Sequence, residues 1–510
     1  MVGACLLFGF AVALQAAAQA VGRPNRATAP VSAVLRGDDR GINRGHGAVC
    51  SAGVRWQTVR EIIRKVKNMS STLIRNGTLI TLNPAREVLQ GDIYIQNGLI
   101  VELPSTRQTA DQIIDAHGKL VLPGFVQIHV HLNQTLFRGM ADDMDVVDWL
   151  RLRIWPLEQA HTPESVYASA RLSIADLIRG GTTTAMTMES LNFTEAAFQA
   201  ADEMGFRATI GNAMMDRWEV GTEMIGESTE IALTKSLDLL DRFDKTGRGR
   251  LRFAFCPRGT RNATDDLWKE IARIAREREV LIHTHAAENQ AQTERLAEYG
   301  GHEVHYLDSL GILGPNLVIA HGIWLTAEEH DLLAMHGCTV AHCPSANFKL
   351  ASGIAPVPEM IEKGINVAIG ADGAPCNNNL DAFMEMRLTA LVHKPRCGAH
   401  CMPAASVLEM MTLNGAKAVG LAGEIGSLEV GKRADIILLK RDVLHAWPSF
   451  AADPISQVVY EHKAQDVDTV LIDGQLLLQD GQFTKWDPQD ILHGSQEELR
   501  KLLERTPGLR

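Results

Sequence analysis

Short apolar runs alternate with longer amphipathic segments between about residues 120 and 420, and nothing else in the 510-residue chain restricts its fold so strongly. The runs are 122–130, 183–187, 208–214, 251–255, 280–284, 317–320, 339–342 and 366–369. Among the segments separating them are 163–179, 194–204, 267–279, 327–336 and 357–363. A strand that returns through a helix to the next strand pairs with it in parallel, by a right-handed crossover. Eight such units in about 300 residues fit an α/β fold of the (β/α)8 TIM-barrel type. A doubly wound open sheet is the competitor. Against it, Gly124, Gly370 and Gly373 form no GxGxxG that opens a helix after the first strand. The barrel is therefore expected over residues 122–423.

The flanks use a different pattern. Residues 72–81 read as a hairpin turning at Asn76-Gly77, and 92–101 repeat the device at Asn97-Gly98. Near the other end, 434–439 reads as a strand and 467–478 as a hairpin around Asp473-Gly474. Either group alone has too little sheet to bury a face, so residues 69–121 and 424–510 are expected to combine. The product is a small composite β-sandwich with a C-terminal helix.

Residues 1–68 conform to neither pattern. They carry ten Lys and Arg against three acids, and the apolar stretch from Leu6 to Leu14 imitates the core of an export signal without a preceding basic residue. Three readings stay open for this extension: an over-extended start, an export signal with its linker, or a disordered tail. None carries chemistry. For the whole chain the net charge is −11, which offers no general attraction to nucleic acid or to an anionic membrane. The eight cysteines lie too irregularly for a disulfide framework, which favours a reducing, cytoplasmic setting.

Barrels of this type work at the C-terminal ends of their strands. The first run ends in His129-Val130-His131, whose imidazoles share one face of an extended strand. The fifth ends in His283-Thr284-His285-Ala286-Ala287-Glu288, the sixth in His321 and the eighth in Asp372. Any one of these could be an ordinary buried or surface histidine. Four strand ends finishing in His or Asp point instead to a metal site. By contrast, Cys397-Gly-Ala-His400-Cys401 lacks the second ligand pair of a zinc knuckle.

The stretch 123–131, with His285-x-x-Glu288, His321 and Asp372, resembles the amidohydrolase superfamily in its cytosine-deaminase-like branch. The resemblance runs from Leu73 to Gly481 and takes in 131–139, Trp155-Pro156-Leu157-Glu158, 180–184, 344–350 and 426–435. Within the superfamily the chain is similar to the methylthioadenosine/S-adenosylhomocysteine deaminases, and most of all to the 5′-deoxyadenosine deaminases. The resemblance implies one divalent metal ion per subunit, Zn²⁺ first and Fe²⁺ second, held by His129, His131, His285 and Asp372. His283 is the rival to His285, but only His285 keeps the HxxE spacing. Also implied are Glu288 as proton shuttle, His321 beside the attacking water and Asp372 as its base. The implied reaction is hydrolytic deamination of an adenine nucleoside (5′-deoxyadenosine, methylthioadenosine, adenosine or S-adenosylhomocysteine) to the inosine analogue and ammonia.

Substrate contacts follow from the same resemblance. Glu158 matches the carboxylate that accepts from the ribose hydroxyls, and Trp149 could wall the nucleoside. Two positions depart from the pattern: Asn212 stands where an Arg is expected after the third strand, and Arg258 where a His follows the fourth-strand proline. Loss of the first cation favours a small uncharged 5′ group over a homocysteine, unless Arg258 compensates. The same site could instead act on an s-triazine or on guanine, by deamination or dechlorination. A scaffold that has lost its metal is disfavoured because every ligand is retained. No nucleic-acid or membrane partner is expected, and homo-oligomers are common in the family.

Overall fold

All eight runs form strands: β1 (Phe125–His131), β2 (Thr182–Glu189), β3 (Arg207–Met214), β4 (Leu251–Pro257), β5 (Leu281–Ala286), β6 (Leu317–His321), β7 (Thr339–His342) and β8 (Asn366–Ile369). This is a computed structural model, and it describes residues 70–217, 226–290, 296 and 300–509. The extension 1–68 lies outside the described residues. Each barrel strand pairs in parallel with the next. The ring closes through Asp372–Gly373, which follows β8 and pairs in parallel with β1, Asp372 opposite Val130 and Gly373 opposite His131.

Alternation along the strands divides two apolar layers. Val126, Ile128, Met186, Met188, Ala213, Ala254, Val318, Ala320, Ala341 and Ala368 fill the barrel interior. Their neighbours Phe125, Ala185, Ile210, Phe253, Ile282, Ile319, Val340 and Val367 belong to the large cluster shared with the helices. Small residues predominate inside because an eight-stranded barrel has room only for packed side chains. The helices between strands begin where the sequence supplies caps. Thr162 and Ser165 form a capping box before Pro163–Arg179, with Pro163 at the first helical position. Thr326 and Glu329 do the same for Ala327–His336.

The two flanks share one mixed nine-stranded sheet. Its join is the antiparallel pairing of Lys119–Pro123 with Ile436–Lys440. Both faces are buried. Ile74, Leu79, Val121, Ile436, Leu438 and Leu471 form a core made of flank residues alone. Ile80, Leu120, Leu122, Ile437, Leu439 and Ile472 alternate with them and join the barrel's outer cluster. The turns at Asn97-Gly98 and Asp473-Gly474 stand as expected, every residue of both pairs at positive φ. Asn76-Gly77 is not a turn. Ser71–Ile80 is one strand, bulged between Ile74 and Gly77. A Cβ at Gly77 would lie 2.6 Å from Val121 Cγ2, so the glycine serves close strand packing. The Asn76 amide is held by Asp92 (2.9 Å) and its side chain by Asp115 (3.0 Å).

The C-terminal helix Pro488–Arg505 packs against Pro163–Arg179 of the barrel's helical layer. Among the described residues no helix is long and apolar enough to cross a membrane.

Candidate metal centre

The inner side of β1 is not inherited by simple alternation. Val126 and Ile128 face the interior and Val130 the outer layer, while the pairing of β1 with β2 slips between Gln127 and Val130. This bulge lets His129 follow Ile128 on the inner side, and His131 then shares its face. On β5, Ile282 and Ala286 face outward, so His283 and His285 face inward. On β6, Val318 and Ala320 face inward, and strict alternation would send His321 outward. Its φ of 74° turns the side chain back to the mouth. Asp372 also sits at positive φ (67°). Non-glycine residues in this region are uncommon and concentrate at functional sites.

These turns bring the expected residues together. His129, His131 and His285 offer ligand atoms that all lie within 4.8 Å of one another, as do His129, His321 and Asp372. Asp372 Oδ1 lies 3.4 Å from His129 Nε2 and 3.2 Å from His131 Nε2. His321 Nε2 stands 3.9 Å from both Asp372 Oδ2 and Glu288 Oε1. The opposite ring nitrogens are each engaged. His131 Nδ1 faces the Met188 carbonyl at 2.5 Å, His285 Nδ1 the Arg258 carbonyl at 2.6 Å and His321 Nδ1 the Asn347 side-chain oxygen at 2.9 Å. His129 Nδ1 meets His283 Nε2 at 2.8 Å. His283 therefore lies against His129 rather than in either ligand group. Gly370 supports the arrangement, since a Cβ there would come within 2.8 Å of the backbone and Cβ of His129.

Burial sets the protonation. It depresses His129 to about 4 and His285 well below the ordinary imidazole value. It opposes protonation of His131 too, but the Asp372 carboxylate outweighs it and raises that imidazole. For Asp372, burial is overcome by His129 and His131, which hold the carboxyl well below its usual range. Glu288 moves the other way: burial raises it, and the Asp372 charge adds to the effect. Mostly neutral imidazoles around one carboxylate are the donor set of a borderline divalent cation. Among the described residues buried His129 Nε2 has no hydrogen-bond partner, which fits a nitrogen left for such an ion.

The pocket above this group is lined by Trp149, Arg258, Thr260, Asn262 and Glu303, together with His131, His285, Glu288, His321 and Asp372. Trp149 is buried, and among the described residues its indole nitrogen has no partner. Glu158 reaches the pocket through Arg258, whose Nη1 donates to Glu158 Oε2 at 2.8 Å, while Gln134 donates to Oε1 at 2.9 Å. Burial would raise Glu158, but the Arg258 guanidinium keeps it below the usual value.

The structure does not bring Asn212 to this pocket. It shares the outward side of β3 with Ile210 and Met214, and its Oδ1 accepts from Ser236 of the helix Thr229–Phe243 at 2.9 Å. Its place after a strand suggested a site role; its side of the strand rules against one.

Sequence reasoning missed Glu189 and Asn347. Glu189 ends β2 and accepts from the backbone amides of Leu132 (3.2 Å) and Asn133 (2.8 Å), just beyond His131; burial raises it to about 7. In the sequence the second apolar run, 183–187, stops two residues short of this carboxylate. Asn347 fell inside a resembling segment but only the fold shows it against His321.

The amidohydrolase family model matches residues 120–477. A 5′-deoxyadenosine deaminase of Methanosarcina mazei is 35% identical over 442 residues, 86% of this chain and 100% of that protein. A 5-methylthioadenosine/S-adenosylhomocysteine deaminase of Thermococcus onnurineus is 37% identical over 413 residues, 80% of this chain and 94% of that one. Among solved structures, a zinc-bound adenosine deaminase from Xanthomonas campestris superimposes with a TM-score of 0.79 at 30% identity, covering 84% of this chain and 98% of its own.

Proposed function

The chain belongs to the amidohydrolase family, and from that membership we propose that it hydrolyses the exocyclic C–N bond of an adenine nucleoside, releasing the inosine analogue and ammonia. One observation carries the reading: imidazoles and a carboxylate from β1, β5, β6 and the end of β8 converge beside Glu288. His129, His131, His285 and Asp372 would hold one divalent ion, with Zn²⁺ the best match to three imidazoles and a carboxylate. Such an ion supplies Lewis acidity that brings the pKa of water down to about 7.

The protein's own groups do the rest. His321, steadied by Asn347, orients the attacking water toward the amino-bearing ring carbon. Asp372, held ionised, accepts the water's proton. Glu288, biased toward its protonated form by burial, donates to the adjacent ring nitrogen as the C–O bond forms. The proton on Asp372 then passes to the amino group; as the C–N bond breaks and ammonia leaves, the adduct's hydroxyl proton returns to Glu288 and the carbonyl of the inosine analogue forms.

Glu158 would accept from the ribose diol. Gln134 and Arg258 take one site on each of its oxygens, and a carboxylate has about four such sites. Because the Arg258 charge is already paired with Glu158, it offers little to a homocysteine carboxylate. The favoured substrates are accordingly 5′-deoxyadenosine, methylthioadenosine and adenosine, with S-adenosylhomocysteine behind them. The reading extends to a homo-oligomer in a reducing cytoplasm. The cysteines at 256, 338, 343, 376, 397 and 401 are free thiols, and an oligomer could cover Leu444, Trp447 and Phe450, which are 97%, 66% and 93% exposed.

The test is ammonia release by Zn²⁺-loaded protein from these four nucleosides, with guanine and an s-triazine alongside. Turnover confined to guanine or the triazine would overturn the proposal.

A further inference from the structure

His283 lies directly against the metal centre, yet the proposed chemistry gives it no part. It faces the same inner side of β5 as His285 and belongs to neither group of converging ligand atoms. Its Nε2 stands 2.8 Å from His129 Nδ1, with the two rings perpendicular and both fully buried.

The other three imidazoles point Nδ1 at oxygens: Met188 O, Arg258 O and Asn347 Oδ1. A carbonyl oxygen can only accept, so each of these rings carries a proton on Nδ1, and in its neutral form leaves Nε2 free to ligate. His129 alone among them faces a nitrogen, which donates or accepts according to its tautomer. For His129 Nε2 to act as a ligand, its proton must sit on Nδ1 and His283 Nε2 must accept it. The proton of His283 then sits on its own Nδ1, which is buried with no hydrogen-bond partner among the described residues. An unpartnered buried polar nitrogen is destabilising, and an apolar side chain would avoid it. The contact made by the opposite nitrogen supplies the reason for an imidazole here.

We infer that His283 is a positioning residue: by accepting from His129 Nδ1 it holds that ring in the tautomer, and at the angle, in which Nε2 is free to ligate the ion. The inference rests on the metal site of the proposed function and adds a residue to its support.

Zn²⁺ retention against a competing chelator, and the absorption spectrum after Co²⁺ loading, test it on the full chain. A glutamine can place its amide oxygen near the position of His283 Nε2, whereas asparagine is too short and leucine has no acceptor. His283→Leu and His283→Asn are expected to weaken Zn²⁺ retention about 10–100-fold and to displace the Co²⁺ bands, while His283→Gln stays near the parent in both. Melting of the metal-free proteins identifies any variant that fails to fold, and the asparagine variant serves if leucine does. Retention equal to the parent in a folded Leu or Asn variant would overturn the inference, as would a Gln variant as weak as either. A parent chain that takes up no ion would overturn both this and the proposed function. A parent that holds Zn²⁺ with the expected variant pattern, yet deaminates no nucleoside, would overturn only the function.

Discussion

Glu288 and Glu158 are both buried carboxylates, yet their surroundings send them in opposite directions. Glu288 is raised by burial, with the Asp372 charge adding to the effect; Glu158 is held down by Arg258. The first suits a proton donor and the second an ionised acceptor of hydrogen bonds. Replacing Glu288 with Gln should lower kcat by about 10²–10⁴-fold while the metal content, read by elemental analysis, stays at the parental level. Glu158→Ala should weaken kcat/KM for adenosine far more than for free adenine, since only the riboside offers a diol. Equal losses on the two substrates would remove Glu158 from the ribose role. Both carboxylates could be singled out from their motifs. That Arg258 is tied to one of them could not, because residues 158 and 258 meet only in the folded barrel.

At the level of strands, local departures from regular geometry deliver the histidines. The bulge in β1 and the positive φ of His321 each move a side chain to a face that alternation alone would deny it. Gly370 belongs to the same device, leaving room for the His129 backbone. Gly370→Ala should destabilise the fold by about 1–3 kcal/mol through overpacking and reduce Zn²⁺ retention, measured by denaturant midpoint and chelator competition. The strand-end positions of His129, His131, His285, His321 and Asp372 were legible because apolar runs stop where polar residues begin. Facing was less legible. Asn212 and His342 also stand near strand ends, but both belong to the outward side, His342 with its ring centroid 6.4 Å from His393.

Across the whole molecule, the barrel and the flank sheet are tied by a buried bidentate pair. Arg207, at the start of β3, donates to both oxygens of Asp435 at 2.7 and 3.0 Å, and Asp435 also accepts from the Asp473 amide. Removing one partner leaves an uncompensated buried charge, so Arg207→Met should cost about 3–5 kcal/mol in urea unfolding. Acid should act on the same scale. Burial depresses His161 to about 4 and His342 to about 3, whereas the unfolded chain protonates near 6.5. The unfolded state thus binds more protons below that value. Stability from these groups is complete above about pH 6.5 and declines as pH falls toward 4, at no more than about 1.4 kcal/mol per unit for each histidine. His342→Leu should flatten the decline between pH 6.5 and 5; an unchanged slope would contradict the assignment.

The amino-acid order alone determined the barrel, the chain segments that would join in the second sheet, and the residue types gathered at the strand ends. These are properties of periodicity and of spacing within a few residues, which short-range geometry enforces. Only the tertiary structure decided that His283 packs against His129, that Asn212 faces a helix, and that Asn76-Gly77 is a bulge. It also showed that Asp372 closes the ring against β1. Each of those outcomes depends on which way one side chain turns or on contacts between distant segments, and a single bulged or left-handed residue is enough to reverse it.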